Sequence, residues 1–321
     1  MRKLIFRFTV ALLCFGLGLG AIRLTAPLRS LHTRQSWVQD EAAAPLLGPG
    51  LPAKAQAALI AETVESLRRI ETEHFDNRIA PAAKPLLTRL KHQLIELFHS
   101  ENTPNPERTS IPARTVQTNI LERLKGAGVP VRKWEDIAYS DGYFQKPYAY
   151  GDIYGITVED VAGHPELRVL TTTLGINCGE DTSFYLFKYE DSEWRLVLAQ
   201  ESNDYDEVSG GQGQFQYAIS PPDAQGDFFV VTASINPWCS SNWQSIRYKV
   251  FRLGADPFRP RTILSDEDSI YLRDNDLPYK LQVRRDGFRL EFEGEGSPEE
   301  VTHTHVLRYT VAGDRTTKIG R

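Results

Sequence analysis

The sequence predicts an α+β fold, in which an N-terminal helical hairpin precedes an antiparallel β-domain built from repeated units. Apolar residues recur every three or four positions between residues 53 and 128, which is typical of helices with one buried face. From residue 134 onward, turn residues separate short segments rich in Val, Ile, Thr, Tyr and Phe, a composition that favours strands. Within that region Leu167–Cys178 aligns without a gap on Phe228–Cys239, 61 residues later. A period of this size indicates repeated supersecondary units.

Residues 1–22 predict an export signal or an N-terminal anchor. A basic stub, Met1–Arg7, precedes the apolar run Phe8–Ile22, which has the length of a signal sequence and is short for a membrane span. Gly18 and Gly20 are small enough for cleavage before Ala21, whereas arginines shortly afterwards leave an uncleaved anchor open. We therefore expect a periplasmic or secreted protein that touches a membrane only through this segment, if it stays uncleaved.

Residues 23–52 predict a linker. Four prolines occur among alanines and glycines, and the segment has little hydrophobic period. No function need attach to it.

Three helices are predicted in the helical region, residues 53–128. The first two are indicated by helical spacing at Ile60, Val64, Leu67 and Ile70, and then at Leu87, Leu90, Leu94, Leu97 and Phe98. Pro81 and Pro85 suit the start of the second helix. A third helix is expected over 111–125, with Ser110 as a candidate cap, Pro112 in its first turn and glycines after its end. The short break between the first two helices predicts an antiparallel hairpin, whose apolar seams face each other or the β-region, or mediate dimerisation.

The β-region, residues 134–321, is predicted to hold strands in a repeated order. The expected strands span 152–158, 167–174, 184–189, 194–199, 214–219, 228–235, 246–253, 279–284, 288–293 and 305–311. In each of the first two units a strand enters a cysteine loop, a second returns, and a third follows. A degenerate third unit places Leu307–Val311 61 residues after Ile246–Val250. A propeller-blade-like array, a β-sandwich and a barrel all remain open at this point.

Cys178 and Cys239 occupy equivalent positions in the two aligned copies. In an exported protein such a pair predicts one disulfide between neighbouring units. Two free thiols are the alternative. A metal site is disfavoured because neither cysteine has a nearby CxxC or histidine partner.

The second cysteine loop carries the candidate ligand-binding residues, Trp238, Asn242 and Trp243. Tryptophans beside asparagine and serine could stack on the apolar face of a sugar ring while the polar groups bind its edge. The alternative is that the indoles cap the β-core. The first cysteine loop has no tryptophan, so the repeat does not require the two tryptophans, and they are a local feature of the second loop.

Other side-chain clusters give weaker indications of chemistry. The acidic stretches at 203–207, 266–268 and 274–276 could hold calcium, but Asp and Asn are also standard turn residues. His303 and His305 share one face of a predicted strand and could supply two metal ligands, although partly buried structure explains them as well. We predict no metal site and no cofactor, since the sequence contains no HExxH motif, phosphate loop or dinucleotide fingerprint.

The charge balance argues against nucleic acid as a partner. The net charge is −5, and loss of the first twenty residues with Arg2, Lys3 and Arg7 would make it −8. Phosphate backbones repel such a surface. We therefore expect an exported binding module of unknown ligand, with a glycan or an envelope protein as its partner. The alternatives are a secreted glycan-acting hydrolase, using a carboxylate pair on different strands, and a structural envelope protein that self-associates through its hairpin.

Overall fold

The computed structural model describes residues 51–71, 78–103, 111–132, 150–176, 179–202, 212–236, 242–254, 256–272, 278–295 and 302–319. They belong to one unit, Leu46–Arg321. The predicted signal segment, residues 1–22, and most of the predicted linker, 23–52, lie outside the described residues. Within the described part, no helix has both the length and the apolar character needed to span a membrane.

Three helices open the described chain: α1 (Ala53–Arg68), α2 (Lys84–Asn102) and α3 (Ala113–Gly126). Gln56 in the first turn of α1 donates a hydrogen bond of 2.7 Å to Glu96 in the second half of α2, which joins these two helices. Proline lies at or beside each helix start: Pro52 and Pro112 are the N-caps of α1 and α3, and Pro85 lies in the first turn of α2. Proline, which has no amide hydrogen, loses no helical hydrogen bond at these positions, because the first amides of a helix have no helical acceptor.

The described residues also form twelve strands in three antiparallel sheets of four. Sheet A contains β1 (Ile153–Val161), β2 (His164–Ile176), β3 (Gly179–Glu190) and β4 (Glu193–Gln200). Sheet B contains β5 (Gly213–Ile219), β6 (Phe228–Ile235), β7 (Trp243–Leu253) and β8 (Arg261–Tyr271). Sheet C contains β9 (Tyr279–Arg284), β10 (Gly287–Glu295), β11 (Thr302–Ala312) and β12 (Arg315–Lys318). Each sheet pairs its strands in chain order. The α+β class and the antiparallel sheets are confirmed in this coarse form.

The aligned sequence segments occupy equivalent strands. The described strand segments of the two copies lie on β2 and β6, the second strands of sheets A and B. The degenerate match lies on β7 and β11, the third strands of sheets B and C. Two assignments change. The acidic stretch Asp266–Asp268, whose residue types also suit a turn, is inside β8, and the short polar β12 was not predicted.

The elements pack as four layers with three cores between them. Apolar side chains of the helices meet one face of sheet A, which includes Leu170, Tyr185 and Phe187. The other face of sheet A packs on sheet B, joining Leu167, Val169, Phe184 and Leu186 to Phe228, Val230, Phe251 and Leu253. The opposite face of sheet B packs on sheet C through Phe229, Val231, Ile246, Tyr248, Phe288, Leu290 and Phe292. Successive residues of one strand belong to different cores, because their side chains point to opposite faces of the sheet.

The two outer layers end the stack differently. The helices cover one end. On sheet C, most residues that point away from sheet B are polar, and the exposed ones include Lys280, Gln282, Arg284, Thr304, Arg308 and Thr310. Such a face needs no further layer to cover it.

The strands β3, β5, β7 and β9 begin at the same end of the stack, which we call the upper end. The amide of Thr182 donates to the carbonyl of Gln212 at 2.6 Å, which places the starts of β3 and β5 together. The hydroxyl of Tyr279 donates to the carbonyl of Ala233 at 2.7 Å, which joins the start of β9 to the end of β6. The short turns between the strands lie at the opposite end, the turn end. Both cysteine segments connect strands at the upper end.

Candidate functional site

Two of the predicted ligand-binding residues, Asn242 and Trp243, are described, and both lie at the upper end. Trp243 opens β7 and is 38% exposed. Its indole lies 5.0 Å from the ring of Tyr271, its strand partner on β8, with 58° between the planes. The side chain of Asn242 is exposed, and its carbonyl accepts a 2.7 Å hydrogen bond from Leu272. Trp238 lies outside the described residues.

The predicted disulfide also falls outside the described residues, because neither Cys178 nor Cys239 is among them. The residues on either side of the two cysteine segments are described, and these flanking residues come together at the start of β5. Gln212 bonds to Thr182, and the first residue of β5 pairs with Ile235, the last residue of β6. The disulfide stays a prediction.

Trp243 is the first residue of a strip that we call the polar face of β7–β8. Because side chains alternate along β7, Trp243, Ser245, Arg247 and Lys249 point to one side. Their strand partners on β8 are Tyr271, Ser269, Glu267 and Ser265. Further down β7, Phe251 and Leu253 point the same way into the core between sheets A and B. The polar face therefore continues from a buried interface up to the exposed indole.

The neighbouring strand β6 supplies hydroxyl groups to this face. Thr232 is the partner of Lys249, and Ser234 is the partner of Arg247. Paired residues of an antiparallel ladder have their side chains on the same side of the sheet. The polar face therefore joins two cations, several hydroxyls and an aromatic pair on one surface.

Burial and charge shape the two cations of the polar face. Desolvation lowers the pKa of Lys249, and the adjacent charge of Arg247 lowers it further. Burial also lowers the pKa of Arg247, whereas the carboxylate of Glu267, 3.6 Å away, raises it. Arg247 additionally donates a hydrogen bond to the side chain of Asn236.

The opposite face of β7–β8 holds a carboxylate and tyrosine cluster. The hydroxyl of Tyr248 lies 3.1 Å from the carboxylate of Asp266 and 3.0 Å from that of Asp268, and the Tyr309 hydroxyl of sheet C lies 3.1 Å from it. Burial raises the pKa of Tyr248, as do the bond with Tyr309 and the two carboxylates. The acidic stretch of β8 thus belongs to the interface between sheets B and C.

A buried ion pair at the upper end has no counterpart in the sequence analysis. Lys91 of α2 and Asp181 of β3 are joined at 2.8 Å, with side chains 1% and 0% exposed. The carboxylate also accepts from the hydroxyl of Ser202 at 2.7 Å and from the amide of Gln212 at 3.4 Å. The ammonium group donates to the carbonyl of Ser202 at 3.1 Å. These contacts tie the helices to the strand ends that flank residues 203–211.

The predicted histidine pair makes structural contacts in sheet C. The ring of His305 stacks on Phe292 at 5.4 Å, and its Nε2 lies 3.0 Å from the carbonyl of Glu295. His303 lies 5.8 Å from His305, edge to face. Across the part of the chain that the structure describes, no three His, Cys, Asp or Glu side chains are grouped to hold a metal ion.

Comparisons of this chain with protein family models, with curated proteins and with solved structures find no match. The case for a function therefore depends on the geometry of the polar face and of the layers around it.

Proposed function

We propose that the protein is an exported glycan-binding module whose ligand lies on the polar face of β7–β8, with Trp243 as its stacking platform. The observation that carries the proposal is the exposure of this indole. Burial of a tryptophan is strongly favourable, so a partly exposed indole in a strand is notable beside polar neighbours. An aromatic surface flanked by hydroxyl and amide groups suits the two faces of a sugar ring.

The arrangement of Trp243 and Tyr271 adds to the support. The two rings are tilted against each other, so they offer a bent apolar surface rather than one flat plate. Ser245 and Ser269 follow directly beside them as the next strand pair on the same face. Stacking and hydrogen-bonding groups are thus available within two residues of each other.

The two alternative functions have less support. Asp266 and Asp268 both lie on β8 and within hydrogen-bond distance of Tyr248, so they are not the pair on different strands that the hydrolase would use. The leucines of α2 that could drive self-association are buried inside the same chain, against the other helices and sheet A. Export is proposed from residues 1–22 of the sequence alone.

We further propose that the three sheets form a propeller-blade-like array rather than a β-sandwich. Each sheet is a meander of four consecutive strands, as a blade is, and β5 bonds to its neighbours on both sides. A sandwich joins two sheets over one core, whereas three sheets are stacked over two cores in this chain. An experimental structure with β1, β5 and β9 nearest a common axis would support the array, and a pair of sheets closed on each other would exclude it.

The test of the binding function is a glycan panel, read with a reducing-sugar assay in parallel. Trp243→Ala should abolish binding while the protein stays folded, because a ring that is 38% exposed at the start of a strand lies outside the three cores. Ile319→Ala is the matched control, since Ile319 is also exposed but follows β12 of sheet C and is not part of the polar face. A parent protein that binds no glycan, or a Trp243→Ala protein that still binds, contradicts the proposal. Release of reducing sugar would favour the hydrolase.

A further inference from the structure

We infer that the glycan bound on the polar face is acidic, and that Lys249 binds its carboxylate. This inference rests on the proposed function. It names the ligand class as an oligosaccharide that contains uronic acid residues.

Lys249 is the first observation. Its side chain is half-buried beside the core of sheets A and B, and among the described residues it has no hydrogen bond or ion pair. Partial burial removes some of the water around the ammonium group, and no described protein group replaces it, so an added anion would be favourable there. An incoming carboxylate would supply the missing partner.

The charges around Lys249 favour an anion. Arg247 lies two residues away on the same face, so two cations share the strip. The acid facing them from β8 is Glu267, which lies 3.6 Å from Arg247 and is 58% exposed. On the facing sheet, the carboxylate of Glu180 already accepts a hydrogen bond from the amide of Gln214. Arg247 therefore has a nearby carboxylate, whereas Lys249 is the cation that an anionic ligand would neutralise.

Gln200 is an independent observation from the facing sheet. It is the strand partner of Phe184, whose ring lies in the core between sheets A and B, so Gln200 points to the same interface. Gln200 is 7% exposed, and its side-chain oxygen has no hydrogen-bond partner among the described residues. A buried acceptor of this kind calls for a donor, and sugar hydroxyls are donors. An oligosaccharide with carboxylate and hydroxyl groups carries the chemical partners that these two side chains lack.

The length of the strip indicates an oligosaccharide rather than a single sugar. Trp243 and Lys249 are six residues apart on one strand, which is about 20 Å at about 3.3 Å per residue. One ring cannot stack on the indole and reach the ammonium group. A short chain can place one residue on Trp243 and the carboxylate of another at Lys249.

The experiment measures binding of the full-length protein to an oligogalacturonate and to the same oligosaccharide after reduction of its carboxyl groups. The parent should bind the acidic form at least tenfold more tightly, and the difference should shrink at high salt. Lys249→Gln should abolish the preference by weakening binding of the acidic form to the level of the neutral form. Lys280→Gln is the matched control, because Lys280 is exposed on the outer face of sheet C. Trp243→Ala should weaken both forms.

The outcomes separate this inference from the proposed function. Equal binding of both forms, or a preference unchanged in Lys249→Gln, overturns the acidic ligand and leaves the glycan module standing. Failure to bind either form while another glycan of the panel is bound overturns only the acidic ligand, whereas failure to bind any glycan overturns both. Lys249→Arg guards against a folding defect, since it keeps the charge and should keep the preference for the acidic form.

Discussion

Lys91 and Asp181 form an ion pair that is enclosed between α2 and sheet A. Removing two charges from water costs several kcal/mol per ion, and only close contact with further hydrogen bonds offsets that cost. Ser202 and Gln212 provide those bonds to the carboxylate. The pair therefore fixes one position of α2 over the sheet, because a shift of the helix would leave a buried charge alone.

Lys91→Met should destabilise the protein by about 3 to 5 kcal/mol, because it leaves the buried carboxylate of Asp181 without a cation. Urea unfolding of the variant and the parent measures the difference. The double variant Lys91→Met with Asp181→Asn should recover part of the loss, because no buried charge remains and the amide oxygen still accepts from Ser202. A single variant within 1 kcal/mol of the parent would show that the pair is not enclosed in solution.

His99 should make stability depend on pH. Burial against Phe98 and Phe187 lowers its pKa from 6.5 to about 4, and its Nε2 has no hydrogen-bond partner among the described residues. Between about pH 6.5 and 4 the unfolded chain then binds a proton that the folded chain does not. The free energy of unfolding should fall as the pH drops through this window, by up to about 3 kcal/mol. Unfolding curves at pH 7, 6 and 5 check this, and His99→Gln should flatten the dependence.

At the scale of elements, α2 gains its stability from the side that it buries. Leu87, Leu90 and Leu94 lie on that side, all 2% exposed or less, while His92 lies on the other and is exposed. Leu94→Asp would place an unpaired charge in the seam and should cost several kcal/mol. His92→Asp makes the same change on the exposed side and should cost less than about 0.5 kcal/mol. Thermal melting of both variants tests the contrast, and equal melting temperatures would mean that the seam is open to water.

Periodic patterns predict elements well where one face is buried, and poorly at edges. The helix seams and the inner strands follow apolar spacing, because burial imposes that spacing on the sequence. The acidic residues of β8 looked like a turn because their partner, Tyr248, is on another strand and leaves no local signal. The short strand β12 has polar residues throughout and only one strand neighbour.

The candidate site was predictable only in part. The aromatic and amide residues of the second cysteine loop, Asn242 and Trp243, stood out by type. Lys249 did not, since its meaning depends on strand register and on the sheet that faces it. The Lys91–Asp181 pair joins residues 90 positions apart, and no sequence pattern connects them.

At the scale of the whole unit, the layers form a series in which each core joins only neighbouring layers. Leu87 belongs to the core between the helices and sheet A, and Leu290 to the core between sheets B and C. In repeat proteins such nearest-neighbour packing makes stability a sum of local terms, so that distant layers can open separately. A cavity in one core should then loosen its own two layers first.

Hydrogen exchange of Leu290→Ala and Leu87→Ala tests this coupling. Both leucines are fully buried, and each truncation should cost about 2 to 5 kcal/mol. Leu290→Ala should speed amide exchange in β5–β12, the strands of sheets B and C, while α1–α3 keep their protection. Leu87→Ala should do the reverse, loosening the helices and sheet A and sparing sheet C. If either variant speeds exchange equally in every layer, the three cores unfold as one cooperative body, and the serial description of the stack is wrong.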